Sequence, residues 1–221
     1  MKNRKQIQRM VGIATLVAIA VVLQLIATYM PKLPGGISPT LALIPIVVGA
    51  ILYGPLGGAI LGTAVGVIVI VDPQTLTFFM PHNPAATIIL CLLKTGLAGF
   101  CAGWIFKLLY KKNVLLAVIL ASIIVPIINT SLFTLGAVLF FGDVYGGGGF
   151  SIVLATIIGI IWLNFIVEFA INSLLSPAVL RIVRIIARNY NIGISFNAGA
   201  IYSEEEMAEA LNTSSVVEQE K

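Results

Sequence analysis

Long apolar stretches, cut by only a few charges, constrain this chain more than anything else in it. No Asp, Glu, Lys or Arg occurs in residues 10–31, 33–71, 73–93, 113–142 or 144–167. A hydrocarbon core of about 30 Å is crossed by roughly 20 apolar residues in a helix. The runs are long enough to be spans, and the expected fold class is all-α, a polytopic membrane protein. Composition agrees: 59% of residues are hydrophobic and 10% charged, against roughly 25% charged in a soluble domain.

Proline and glycine divide the runs. The first span is expected over residues 10–30, as an uncleaved segment, because a cleavable leader has a shorter apolar core and a small-residue cleavage site. It ends at Pro31 and the loop PKLPGG. Spans over 38–53 and 56–71 are joined by the tight YGPLGG turn. The loop DPQTLTFFMPHNP leads to a fourth span over 85–109, and a fifth follows over 114–141 with a kink expected at Pro126. The loop GDVYGGGGF precedes a sixth span from 151. The stretch from there to Arg188 is too long for one crossing at about 1.5 Å per residue, so Pro177 is expected to kink or end the helix. Six transmembrane helices result, in a membrane domain over residues 1–188. Residues 189–221 carry six glutamates and few apolar side chains, and read as a solvated, loosely ordered acidic tail.

With six spans, Lys2, Arg4, Lys5, Arg9, Lys107, Lys111, Lys112, Arg181, Arg184 and Arg188 all fall on one side. Lys32, Asp72, His82 and Asp143 fall on the other. The positive-inside rule then places both termini in the cytoplasm. The isoelectric point near 9.2 thus reports topology and not a nucleic-acid surface.

Against this background Lys94 stands out. It lies inside AATIILCLLKTGLAGFCAGWIF and is the only Lys or Arg between Lys32 and Lys107. A cation at such a depth costs about 2.5–3.5 kcal/mol on insertion scales and normally faces a cavity, a partner or a ligand. Asn129 in span five and Asn164 in span six fall at a similar level, roughly 15–20 Å from the outer surface by helical rise. The three could line one cavity reached from outside. Glu168 lies one turn deeper than Asn164, and with Asn172 they form one helical stripe. Lys94 could instead pair with Glu168, with the asparagines bridging helices. His82 and Asn83 are candidates for ligand contact or for capping the fourth span. The two loops read as lids, the glycine-rich one equally as a linker.

Gly58, Gly62 and Gly66, Gly99 and Gly103, and the pair Ala14 and Ala18 repeat at four-residue spacing, which lets helices approach closely. For the glycines the expected role is packing within the chain. Ala14 and Ala18 suit an intermolecular surface as well. Cys91 and Cys101 share one predicted helix about 15 Å apart, beyond the reach of a disulfide. No metal-ligand cluster, cofactor motif, ATPase loop or catalytic pattern is present, so no cofactor and no enzymatic activity are expected. One functional class consistent with this is a stand-alone secondary transporter using Glu168 as a proton relay. Another is a structural membrane subunit without a ligand.

Six spans with both ends inside, the AxxxA in span one and the lid loops resemble the substrate-binding S component of an energy-coupling factor (ECF) vitamin importer over roughly residues 8–188. The segment from Gly49 to Lys111, with its DPQT, NP and LLKTGLAG elements, is similar to pantothenate-type S components. The resemblance implies capture of a vitamin, pantothenate in this type, at the outer face of a bacterial plasma membrane. It further implies association with a membrane coupling subunit and two cytoplasmic ATPases, and delivery by toppling of the whole subunit. Ala14 and Ala18 match the element facing the coupling subunit. Pantothenate carries a carboxylate, an amide and two hydroxyls. Lys94 suits the first, while Asn129 and Asn164 suit the rest, each offering a donor and an acceptor. Glu168 fits less well beside an anion and could instead orient Lys94 or point to an S component for another vitamin.

Overall fold

The computed structural model describes the backbone of residues 2–29, 41–142 and 150–189, and side chains over most of 6–29, 41–142 and 165–183. Segments 30–40, 143–149 and 190–221, which include part of the glycine-rich loop and the acidic tail, lie outside the described residues. Every regular element among the described residues is a helix: α1 (Lys2–Tyr29), α2 (Leu43–Ile70), a π-helical turn (Thr75–Phe79), α3 (Pro84–Leu109), α4 (Val114–Phe140) and α5 (Phe150–Asn189). All five α-helices are long and apolar enough to cross a membrane.

The two short spans expected over 38–53 and 56–71 form one element that folds back on itself. Gly54 has φ 75° and ψ −172°, a region open essentially to glycine alone, and Pro55 starts the next helical arm with its φ preset. A Cβ built on Gly49 would lie 2.9 Å from Leu61 Cδ2 and 3.7 Å from Leu61 Cβ. In a straight helix, residues so separated would be about 18 Å apart, so α2 is a tight helical hairpin with arms 43–53 and 55–70. Arg9 of α1 donates to the Tyr53 carbonyl at the apex, 2.9 Å away. A cation there suits the C-terminal end of the first arm.

The second arm and α3 run antiparallel in backbone contact. A Cβ on Gly58 would overlap the Gly99 carbonyl, one on Gly62 the Thr95 carbonyl, and one on Gly66 would come 2.7 Å from the Cys91 carbonyl oxygen. A Cβ on Gly103 would lie 2.7 Å from Pro55 Cα. The glycine repeats thus pack within the chain, as expected from their spacing. In lipid the hydrophobic effect does not drive helices together, and close packing of small residues takes its place. The first arm of α2 forms the middle of the bundle, with Leu43, Ile46, Val47, Ile51 and Leu52 buried. By contrast α1 is peripheral. It turns Leu16, Ala20 and Ala27 inward and leaves Met10, Val22 and Leu25 exposed.

Pro177 does not end the last helix. α5 runs through it, 40 residues in all from Phe150 to Asn189. Proline removes the donor for the Ser173 carbonyl, and Ser176 Oγ donates to that oxygen instead at 2.8 Å. This kind of side-chain rescue is what makes proline tolerable in membrane helices.

Candidate functional site

The hairpin apex lies at the end of the bundle that carries Arg9 and, one turn past Gly103, Lys107. At the opposite end, Thr28 Oγ1 and Gln24 Nε2 of α1 donate to Asp72 Oδ2 at 2.7 and 3.4 Å. Asp72 Oδ1 accepts from the Gln74 backbone N–H at 3.0 Å. This single acid therefore ties α1 to the start of the π-helical turn. π-helical turns occur often at functional sites, and this one sends Phe79 into the bundle. Phe79 stands edge-on to Phe133 of α4, with centroids 5.6 Å apart at 84°. It stands edge-on also to Phe141, at 5.1 Å and 80°.

Lys94 of α3 is half-buried beneath this cluster, its Nζ 4.6 Å from the centroid of Phe133. Among the described residues it packs against a ring. Its neighbour Thr95 is buried, and the Thr95 backbone lies against Gly62, so the glycine seam sets the height of Lys94. Asn129 lies four residues before Phe133 on α4, hence on the same face. It is 6% exposed, and its Oδ1 has no hydrogen-bond partner among the described residues. Native structures leave few buried polar atoms unpaired. The structure therefore brings Lys94 and Asn129 to one seam between α3 and α4.

The other expected residues are distributed differently. Asn164 belongs to α5, and its side chain lies outside the described residues. Glu168 is 1% exposed, and its backbone carbonyl accepts from Asn172 Nδ2 at 2.9 Å, so Asn172 serves its own helix. His82 is exposed, with Nδ1 2.9 Å from the Phe78 carbonyl oxygen. Asn83 caps α3, its Oδ1 accepting from Ala86 N at 3.1 Å, a standard N-cap bond. Ala14 and Ala18 are exposed. At 3.6 residues per turn they lie opposite the buried Leu16 and Ala20, which leaves that face of α1 clear of the bundle.

Sequence reading passed over Phe133, Phe79 and Asp72. Phe133 had a usable signal, its four-residue offset from Asn129. Asp72 had another, as the lone acid in an otherwise apolar loop.

Apolar helices packed through glycine seams, with most of the outer surface hydrophobic, define a multi-pass membrane protein. The sequence model of the ECF transporter substrate-specific component family matches residues 8–183. The chain belongs to that family, whose members bind a small-molecule substrate and work with an ECF module. Comparison with curated proteins and with solved structures returned no match for either.

Proposed function

We propose that this chain captures pantothenate from outside the bacterial plasma membrane and passes it to an ATP-driven module without chemical change to the ligand. That module comprises a membrane coupling subunit and two ATPases. The two arms of α2 count as separate crossings, which makes six spans and puts both termini in the cytoplasm. The end bearing Asp72, Phe79 and Asn83 is then the outer one, and the face of α1 with Ala14 and Ala18 meets the coupling subunit. Toppling of the subunit carries the ligand inward.

One observation carries the reading: a membrane-embedded lysine set against an aromatic ring shares a seam with a buried amide oxygen that lacks a partner among the described residues. Lys94 binds the pantothenate carboxylate. Asn129 accepts from a hydroxyl or the amide N–H, and Asn164 adds a further polar contact from α5. The test is pantothenate binding to purified protein, together with mass spectrometry of whatever co-purifies. Wild-type protein is expected to bind and Lys94→Ala to lose at least about a hundredfold in affinity, the scale of a buried charge-assisted contact. Absence of binding by the wild type refutes the substrate. Unchanged affinity in Lys94→Ala refutes the role of Lys94.

The buried carboxyl group of Glu168 favours a second reading, proton-coupled transport by this chain alone. Uptake into vesicles separates the two. Dependence on ATP and partner subunits supports the first, and uptake driven by a pH gradient without them supports the second.

A further inference from the structure

Phe133 occupies a place where a counter-ion would be expected. An intramembrane cation usually pairs with an acid or a carbonyl, yet Lys94 rests on an aromatic face 4.6 Å from its centroid. Cation–π contacts act within about 6 Å and strengthen when desolvated. The ring is held in place: Phe79 from the π-helical turn packs edge-on to it, and Phe79 is itself buttressed by Phe141. Such edge-to-face pairs define ring orientation as well as burying area.

The difference between a ring and a carboxylate decides what Lys94 can do. A carboxylate would cancel the ammonium charge and occupy its donors. An aromatic face stabilises the cation, leaves its net charge intact and leaves the N–H bonds on the far side free to point elsewhere. An anion arriving on that side adds to the ring contact instead of displacing it.

We propose that Phe133 is a positioning and specificity-determining residue. It holds Lys94 as a charged, uncancelled donor and thereby sets the preference of the site for an anionic over a neutral ligand. The proposal rests on the reading of Lys94 as the anion-binding group. Phe79 supports it from the π-helical turn, so that turn and the presentation of the cation belong to one structural unit.

The test replaces Phe133 by pentafluorophenylalanine, which keeps the shape of the ring and reverses the sign of its face. In the ligand-free arm, melting temperature is measured for this replacement in the Lys94 and Lys94→Met backgrounds. A lowered melting temperature with Lys94 and none with Met is the expected result. Equal losses in both backgrounds overturn the proposal. In the second arm, affinity is measured for pantothenate and for its neutral alcohol analogue. Fluorination is expected to weaken pantothenate by about tenfold, from the size of a desolvated cation–π contact, and to leave the alcohol nearly unchanged. Equal weakening of both, or of neither, overturns the proposal. Phe133→Leu and Phe133→Trp provide the same comparison by ordinary mutagenesis, with Trp expected to retain affinity and Leu to lose it. If the wild type binds neither compound, the pantothenate reading fails, and the ligand-free arm still decides the role of Phe133.

Discussion

Gly62→Ala tests the seam that sets the height of Lys94. A Cβ on Gly62 would overlap the Thr95 carbonyl oxygen, lie 2.7 Å from the Thr95 carbonyl carbon and 3.0 Å from Gly96 Cα. Carbon atoms pack comfortably at about 3.5–4.0 Å, so the backbones must separate by about 1 Å. A gap of that size forfeits up to half of each dispersion contact along the seam, and overpacking in a fitted core costs about 1–3 kcal/mol. A loss of about 2–3 kcal/mol corresponds to a fall of roughly 5–10 °C in melting temperature for a chain of this size. Gly66→Ala should cost about half as much by the same reasoning, because its nearest contacts are 2.7 Å to the Cys91 carbonyl oxygen and the Thr95 hydroxyl. Gly96→Ala is the control. Its Cβ meets only Thr63 Oγ1 at 3.0 Å, with backbone no nearer than 3.9 Å, and the effect should stay within about 0.5 kcal/mol. Thermal unfolding of the three variants in detergent, followed by tryptophan fluorescence, gives the order. Ligand affinity should fall with Gly62→Ala, because Thr95 adjoins Lys94. A Gly62→Ala melting temperature equal to wild type, or a larger loss for Gly96→Ala, would refute the reasoning.

Gly54→Ala places a side chain at φ 75°, ψ −172°, and the strain of about 1–3 kcal/mol should open the hairpin, visible as faster amide exchange around the apex. Thr28→Val removes a 2.7 Å bond to Asp72 worth about 0.5–1.5 kcal/mol. Hydrogen exchange should rise at the end of α1 and in the π-helical turn while the α2–α3 seam stays protected. Asn129→Leu removes a buried acceptor that lacks a partner among the described residues. Melting temperature should hold or rise, since apolar replacement of such a group is close to neutral or stabilising, while affinity for pantothenate should fall; a joint loss of stability and affinity would make Asn129 structural.

Membrane insertion, the positions of the helices and the glycine-mediated packing were legible along the chain because each depends on local properties: runs of apolar residues, prolines and glycines at their ends, four-residue spacing. Lys94 was legible for the same reason, since its cost is a matter of depth. Its partner was not. A carboxylate, an asparagine or a ring could each have met it, and the choice depends on how α3 and α4 are rotated about their axes. The structure placed Phe133 there, its ring centroid 4.6 Å from Nζ. Pro177 shows the same limit at short range. A proline ends a helix unless something satisfies the freed carbonyl, and only the rotamer of Ser176 settles that. By contrast YGPLGG announced the turn between the arms of α2, because Gly and Pro break helices locally, while the pairing of Gly49 with Leu61 across it is a tertiary contact. What pattern could establish was which segments enter the bilayer and where they break. Tertiary packing decided which side chains meet inside it, because those meetings join residues far apart in the chain through distances of a few ångströms.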